Sequence, residues 1–86
     1  MTLLREHLAA CGNIIAGVRS HYWWQGEISS DAESFIVMET TEDRRDQLMT
    51  RLRAIHPYEC PKIIALRPDA VDPDYAAWTH AVTRPG

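Results

Sequence analysis

The sequence has no long hydrophobic run, and this absence excludes a membrane-spanning protein. Its longest apolar stretches, over residues 14–18 and 35–38, are far shorter than the roughly 20 apolar residues that a helix needs to cross a bilayer. Residues 1–7 also lack the basic segment and the uninterrupted apolar segment of a secretory signal. The sequence therefore predicts a cytoplasmic protein with no membrane partner.

Positive charge is scarce as well. The chain contains 9 lysines and arginines against 12 aspartates and glutamates, which gives a formal net charge of −3 at pH 7. The arginines over residues 44–53 are interleaved with acidic residues, as on a solvated helix face. Non-specific nucleic-acid binding needs a basic surface that releases counterions from phosphates. No nucleic-acid partner is therefore predicted.

The sequence also lacks the common motifs of enzyme and zinc sites. Its four glycines are scattered, so none of them forms a phosphate-binding loop, and no GxSxG or cysteine-protease motif surrounds a nucleophile. The two cysteines, Cys11 and Cys60, lie far apart and are expected to be free thiols in a small cytoplasmic domain. No CxxC or HxxxH pair indicates a closed zinc site. We predict that the protein is not an enzyme.

What the chain does contain is an ordinary globular composition. Hydrophobic residues make up 45% and charged residues 24%, close to the average of soluble globular chains, so the chain is expected to fold. A length of 86 residues allows only one hydrophobic core. No repeat, linker or change in composition marks an internal boundary. Residues 1–86 are therefore predicted to form a single domain.

Hydrophobic periodicity and turn residues predict the element order αββαβα. Thr41 can cap the central helix, Pro57 cannot continue it, and Pro73 suits the first turn of the last helix. Within the central helix, Leu48, Leu52 and Ile55 recur at i, i+4 and i+7 and are predicted to form its buried apolar stripe. The predicted elements are a helix over 3–11, a strand over 13–28, a turn at 29–31, a strand over 33–40, a helix over 41–56, a strand over 61–67 and a helix from 72 onwards.

The first predicted strand carries large aromatic side chains on both faces. Alternation places Tyr22 and Trp24 on one face and Trp23 on the other. Left exposed, they would form an apolar area that a monomer of this size seldom tolerates. We interpret them as residues of a core or an interface, in preference to residues that stack on a ligand.

Motifs in a specific order run through residues 3–83. They are LAAC, NII, GVRS and YWW in the first half, and HPYE, Pro61, IAL, Tyr75 and Trp78 in the second. In order and spacing these motifs resemble the CutA family, the divalent-cation tolerance proteins. The resemblance implies an α+β fold, a ferredoxin-like sandwich that assembles into a homotrimer. Long hairpins would extend sheets between the subunits, which would place Tyr22, Trp23 and Trp24 at the trimer interface.

Several features depart from the family pattern. The family order is βαββαβ, whereas this sequence offers no residues for the first strand and adds a C-terminal helix. That strand would lie between residues 33–40 and 61–67, so we expect both to have unpaired edges unless the gap closes or another chain pairs with them. Smaller departures are Gly12 for the usual valine, Ala16 for the usual proline, and Glu39 for the usual lysine, which replaces a cation with an anion.

The family resemblance also implies binding of divalent metals, above all copper. Cys11 is a soft ligand suited to copper, and His56 and Glu59 lie three residues apart in HPYE. We predict weak binding of copper or another divalent ion at Cys11, His56 and Glu59. Each residue also has a plain structural interpretation: Cys11 as a small apolar residue of the first helix, His56 as a helix-end residue, and Glu59 as a loop carboxylate.

Two functional hypotheses follow from the sequence and the resemblance. The first is a trimeric divalent-cation tolerance protein. The second is a signalling or interaction module that binds a small molecule or a partner protein at clefts between subunits, as the similar trimeric PII proteins do. A stable scaffold without a ligand is a third possibility.

Overall fold

The computed structural model describes residues 2–56 and 62–84. The fold class is α+β, as predicted: a long antiparallel hairpin is combined with three helices. In chain order the elements are α1 (Thr2–Arg5), β1 (Cys11–Trp24), β2 (Glu27–Glu39), α2 (Glu42–Ile55) and α3 (Pro73–Val82).

The hairpin turns at Gln25 and Gly26, so the predicted turn at residues 29–31 is wrong. Both turn residues have positive φ, 51° and 81°, as a two-residue turn that matches the twist of its strands requires. Ser29 and Asp31 instead lie in β2, opposite Tyr22 and Ser20. Gly26 adopts positive φ at little cost because it has no side chain. The serines and the aspartate of residues 29–31 pair with β1 as ordinary strand residues.

A β-bulge interrupts the hairpin near its middle. Ile15 lies opposite Phe35 and Val18 lies opposite Glu33, so β1 has two residues where β2 has one. Gly17 is one of the two β1 residues in the bulge, and its φ is 78°. A glycine at this position lets β1 accommodate the bulge without the steric cost that a side chain brings at positive φ.

The first helix is much shorter than predicted. It ends at Arg5, because His7 adopts φ 59° and the backbone N–H groups of His7 and Leu8 donate to the carbonyls of Leu4 and Leu3, at 3.0 and 3.1 Å. This pattern is a Schellman cap, which closes a helix after a residue in the left-handed region. Cys11 therefore begins β1 and does not lie on a helix.

The core lies between α1, α2 and the end of β2. Leu3, Leu8, Ala9 and Leu48 are buried, and the half-buried Leu4, Met38 and Leu52 pack against them. The predicted apolar stripe of α2 is confirmed at Leu48 and Leu52. Its third member, Ile55, is 48% exposed and lies beside a groove at the end of the helix.

The predicted third strand is not formed by residues 62–67, the part of it that the structure describes. Within the described ranges the sheet consists of β1 and β2, so this segment has no strand beside it. An extended segment becomes a strand only when another backbone accepts and donates its hydrogen bonds. Ile64 and Leu66 are accordingly 67% and 88% exposed.

The last helix begins as predicted. The Asp72 carboxylate accepts hydrogen bonds from the backbone N–H groups of Asp74 and Tyr75, at 3.0 and 3.2 Å, and Pro73 is the first helical residue. At the other end, Arg44 of α2 donates to the Thr83 carbonyl at 2.8 Å. These contacts fix both ends of α3. No helix in the described ranges is long and apolar enough to cross a membrane.

Candidate functional site

The structure places Cys11, the first predicted metal ligand, at the start of β1 directly opposite Glu39. Opposed residues of an antiparallel pair project from the same face, with Cβ atoms about 5 Å apart. Cys11 and Glu39 are therefore cross-strand neighbours in the ladder. Cys11 is half-buried, and the Asn13 amide nitrogen lies 3.7 Å from its Sγ atom.

Tyr75 of α3 belongs to the same environment. Partial burial raises the pKa of Tyr75, and the negative charges of Glu39 and Cys11 raise that pKa further. Its ring lies 5.5 Å from that of Trp78, centroid to centroid, and 39% of the residue is exposed. Solvent therefore reaches Tyr75.

One oxygen of the Glu39 carboxylate is unusual for a buried polar atom. Its Oε2 atom is buried and has no hydrogen-bond partner within residues 2–56 and 62–84. A buried carboxylate oxygen without a donor costs free energy, and a bound cation is one way to satisfy it.

His56, the second predicted ligand, lies at the end of α2. Its backbone N–H donates to the Leu52 carbonyl at 2.9 Å. Its side chain lines an apolar groove of about 300 Å³, together with Thr2, Leu3, Ile36, Met38, Leu52 and Ile55. The histidine thus combines a helix-end position with a place at the edge of the core.

Glu59, the third predicted ligand, lies outside the described residues. Among the described residues, no three histidine, cysteine, aspartate or glutamate side chains form a group that could hold a metal ion. A site at Cys11, His56 and Glu59 therefore stays a prediction.

Glu39 and Tyr75 were not predicted as neighbours of Cys11 from the sequence. Alternation alone does not pair residue 11 with residue 39, because the register of the hairpin is set by its turn at Gln25 and Gly26 and by the bulge between Ile15 and Val18. The prediction of a helix over 3–11 removed Cys11 from the strand and so concealed this pairing.

The three aromatic residues predicted at a trimer interface lie near the tip of the hairpin. Trp23 is 72% exposed, whereas Tyr22 and Trp24 are about two-fifths exposed. The Tyr22 hydroxyl donates to the Asp31 carboxylate across the hairpin. The tip of the hairpin thus carries apolar surface that the single chain leaves uncovered. The place of Tyr22, Trp23 and Trp24 at a trimer interface stays a prediction.

Comparisons with known proteins agree with the resemblance. A family model described as CutA1 divalent ion tolerance protein matches residues 1–82. The divalent-cation tolerance protein CutA of Pyrococcus horikoshii is 42% identical over 83 residues, which cover 96% of this chain and 80% of that protein. The chloroplastic protein CutA 1 of Oryza sativa is 37% identical over 83 residues, and this chain spans only about half of its length, 47%.

Solved structures show the same relationship. The divalent cation tolerance protein of Thermus thermophilus aligns with a TM-score of 0.91 and 38% identity, covering 96% of this chain and 81% of that chain. A protein from Nostoc described as the PII-like protein CutA aligns with a TM-score of 0.91 and 32% identity, with the same coverage. The α+β hairpin fold is consistent with the predicted ferredoxin-like class. By sequence and by structure, the chain belongs to the CutA1 family of divalent ion tolerance proteins.

Proposed function

We propose that this protein binds divalent metal ions weakly, copper among them, and acts in tolerance to those ions. The observation that carries the proposal is the half-buried Cys11 thiol, a soft ligand that solvent can reach, in a chain of the divalent ion tolerance family. Tolerance requires ions to be captured and released, which suits a weak site with few protein ligands. His56 and Glu59 are the other proposed ligands.

We also propose that the working form is a cytoplasmic homotrimer of single-domain subunits. The chain is elongated, 46 × 26 × 20 Å, and its radius of gyration is 15.0 Å, against about 12 Å for a compact domain of this length. A hairpin with an exposed Trp23 supports an assembly, because another subunit would cover this apolar surface. The protein acts without catalysis and without nucleic-acid or membrane partners.

Copper titration tests the metal proposal. The affinity of the unmodified protein is measured against a competing chelator under reducing conditions, which keep the thiols free. Cys11→Ala and His56→Ala are each expected to weaken binding. His21→Ala is the matched control, because it removes an exposed histidine of β1 that has no proposed role. Unchanged affinity in both Cys11→Ala and His56→Ala would show that the proposed ligands are wrong.

A second candidate function is that of a PII-like module which binds a small molecule or a partner protein at clefts between subunits. The match to the Nostoc protein described as PII-like favours it. The same titration separates the two functions, because a PII-like module needs no copper ligand at Cys11 or His56. Unchanged copper affinity in both variants would favour this second function.

A further inference from the structure

Residues 62–67 run beside β2 in the same direction, although they do not pair with it in the sheet. The Lys62 ammonium lies 5.1 Å from the centre of the Phe35 ring in β2. Five residues later, the Arg67 guanidinium pairs with the carboxylate of Glu42, which follows the end of β2. Both contacts advance in the same order along the chain, so the two segments are parallel. Helix α2 is the crossover that parallel neighbours require.

The side chains of residues 62–67 are arranged as in a strand. Ile63 is half-buried and lies against α2, beside Met49 and Arg53. Ile64 and Leu66, which alternation places on the other face, are exposed. The segment therefore has the two faces of a strand and lacks only backbone partners.

The edge of β2 that does not pair with β1 is open as well within the described ranges. On the helix side of β2 lies the apolar groove of about 300 Å³, to which Ile36 and Met38 of β2 and Leu52 and Ile55 of α2 contribute. Ile36 and Met38 are two residues apart, so they point to the same side of the strand. An unpaired strand edge thus borders an apolar groove.

The space between β2 and residues 62–67 suits one further strand. A strand placed between two others holds them about 10 Å apart, twice the spacing of paired strands. The long side chains of Phe35 and Lys62 can meet across such a space, whereas backbone hydrogen bonds cannot cross it. We call this space the strand slot, with β2 at residues 35–39 as one wall and residues 62–67 as the other.

We propose that the strand slot binds an extended peptide segment of another protein. The peptide lies antiparallel to both walls, exchanges hydrogen bonds with both, and places alternate apolar side chains in the groove. Its carboxyl end then lies beside Lys62, whose positive charge favours an acidic residue there. This interaction goes beyond the proposed metal-binding function and does not depend on it.

The described part of the chain offers no free segment that a second copy could donate to the strand slot. The two long strands already pair with each other, and residues 62–67 are tied to α2 through Ile63 and to Glu42 through Arg67. The remaining described connections, such as 6–10 and 68–72, are short, and the latter contains Pro68. A strand from a different protein is therefore the occupant that leaves both walls intact.

The probe is a fluorescent synthetic peptide of about eight residues, in which isoleucine and threonine alternate and glutamates form the carboxyl end. Fluorescence anisotropy with the full chain is expected to show saturable binding of one peptide per chain. Absence of saturable binding would overturn the proposal.

Backbone methylation of the peptide tests whether both walls take part. Successive amides of a strand point to opposite edges, so N-methylation at alternate residues blocks donation to one wall only. Two peptides, methylated at the odd or at the even residues, are each expected to bind roughly 10- to 100-fold more weakly. A loss with only one of the two peptides would mean that a single edge binds the peptide, and the two-walled slot would be wrong.

Ile36→Glu places a charge in the groove and is expected to weaken peptide binding at least roughly 10-fold. Ser30→Glu is the matched control, because it puts the same charge at an exposed position of β2, outside the groove. Circular dichroism verifies folding. If Ile36→Glu does not fold, Ile55→Glu makes the same test at the end of α2. Affinity equal to that of the parent in a folded groove variant would overturn the proposal.

Lys62→Gln tests the predicted orientation of the peptide. It is expected to weaken binding of the acidic peptide severalfold at low salt and to leave unchanged the binding of a peptide that ends in serines. An equal loss for both peptides would contradict the charge preference.

Hydrogen exchange identifies the walls directly. The peptide is expected to slow the exchange of amides in residues 62–67 and in β2 together. Slow exchange in both segments without peptide, increasing with protein concentration, would mean that a second copy occupies the slot and that the proposal is wrong. The copper affinity of Ile36→Glu should equal that of the parent, so this inference and the proposed metal binding can fail separately.

Discussion

Arg51 of α2 holds the carboxylate of Glu6 in a two-pronged ion pair. The Arg51 Nε atom lies 3.0 Å from Glu6 Oε1, and its Nη2 atom lies 3.1 Å from Oε2. Glu6 belongs to the turn that ends α1, so the pair joins the beginning of the chain to the central helix. Paired N–H donors give an arginine–carboxylate contact both strength and a fixed orientation.

This ion pair predicts a dependence of stability on pH. The hydrogen bond and the charge of Arg51 lower the pKa of Glu6 below its ordinary value of 4.5. A group with a lowered pKa in the folded state stabilises the protein above its ordinary pKa, and this contribution is lost as the pH falls through the folded value.

Glu6→Gln should therefore destabilise the protein modestly at neutral pH and hardly at all below the folded-state pKa of Glu6. Urea unfolding at several pH values measures the difference between the two proteins. Both side chains are partly exposed, so added salt should reduce the effect at neutral pH. A difference that stays constant from neutral to acidic pH would mean that the ion pair does not cause it.

Gly17→Ala is expected to destabilise the hairpin. No atom lies within 4 Å of the position that a Cβ would take, so the cost comes from the backbone, whose φ of 78° is unfavourable for a side chain. We expect a loss of about 1 kcal/mol in the free energy of unfolding. Urea denaturation measures it, and Ala16→Gly, at the adjacent bulge position, is the comparison. Equal stability of Gly17→Ala and the parent would contradict the strain described for this position.

Asp72→Ala is expected to weaken α3 at its first turn. The change removes the acceptor for the N–H groups of Asp74 and Tyr75, and such a cap contributes about 1 kcal/mol. Thermal unfolding followed by circular dichroism measures the loss. Asp72→Asn, which keeps a capping oxygen, should recover most of it. If Asp72→Asn is as unstable as Asp72→Ala, the loss comes from the charge and not from the cap.

The proposed assembly gives a prediction of mass. Three chains of 9.8 kDa have a mass of 29.4 kDa, which light scattering after size-exclusion chromatography measures directly in the presence of a chelator. Trp23→Ser should shift the mass towards 9.8 kDa, because Trp23 is 72% exposed in the single chain and offers a large apolar side chain to a neighbour. His21→Ser, on the same face of β1, is the control. A monomer or a dimer for the unmodified protein would refute the trimer.

The sequence predicted the parts of this fold that depend on local signals. The Asp72-Pro73 start of α3 and the positions of Leu48 and Leu52 in α2 were confirmed, because caps and helical periodicity operate within one element. The turn at Gln25 was missed, since glutamine seldom occupies a position with positive φ and the serines at 29 and 30 gave a stronger turn signal.

The parts that depend on distant residues were predicted less well. Residues 62–67 have a strand-like sequence, yet a strand forms only where another backbone pairs with it. The proximity of Cys11 to Glu39 depends on where α1 ends, and the left-handed His7 that ends it had no clear signal in the sequence. Residue type is enough to identify a candidate ligand in a sequence. The register of the strands decides which residues lie beside it in the fold.

The two-stranded hairpin has a consequence for hydrogen exchange. Within the described ranges each strand of the ribbon has one edge in the ladder and one edge without a strand beside it. Amide protons that point into the ladder should exchange slowly with deuterated solvent, and those on the outer edges should exchange quickly unless another backbone accepts them. Alternate fast and slow amides along β1 and β2 are thus the signature of an uncovered ribbon. A stretch of uniformly slow amides marks the edge that another backbone covers.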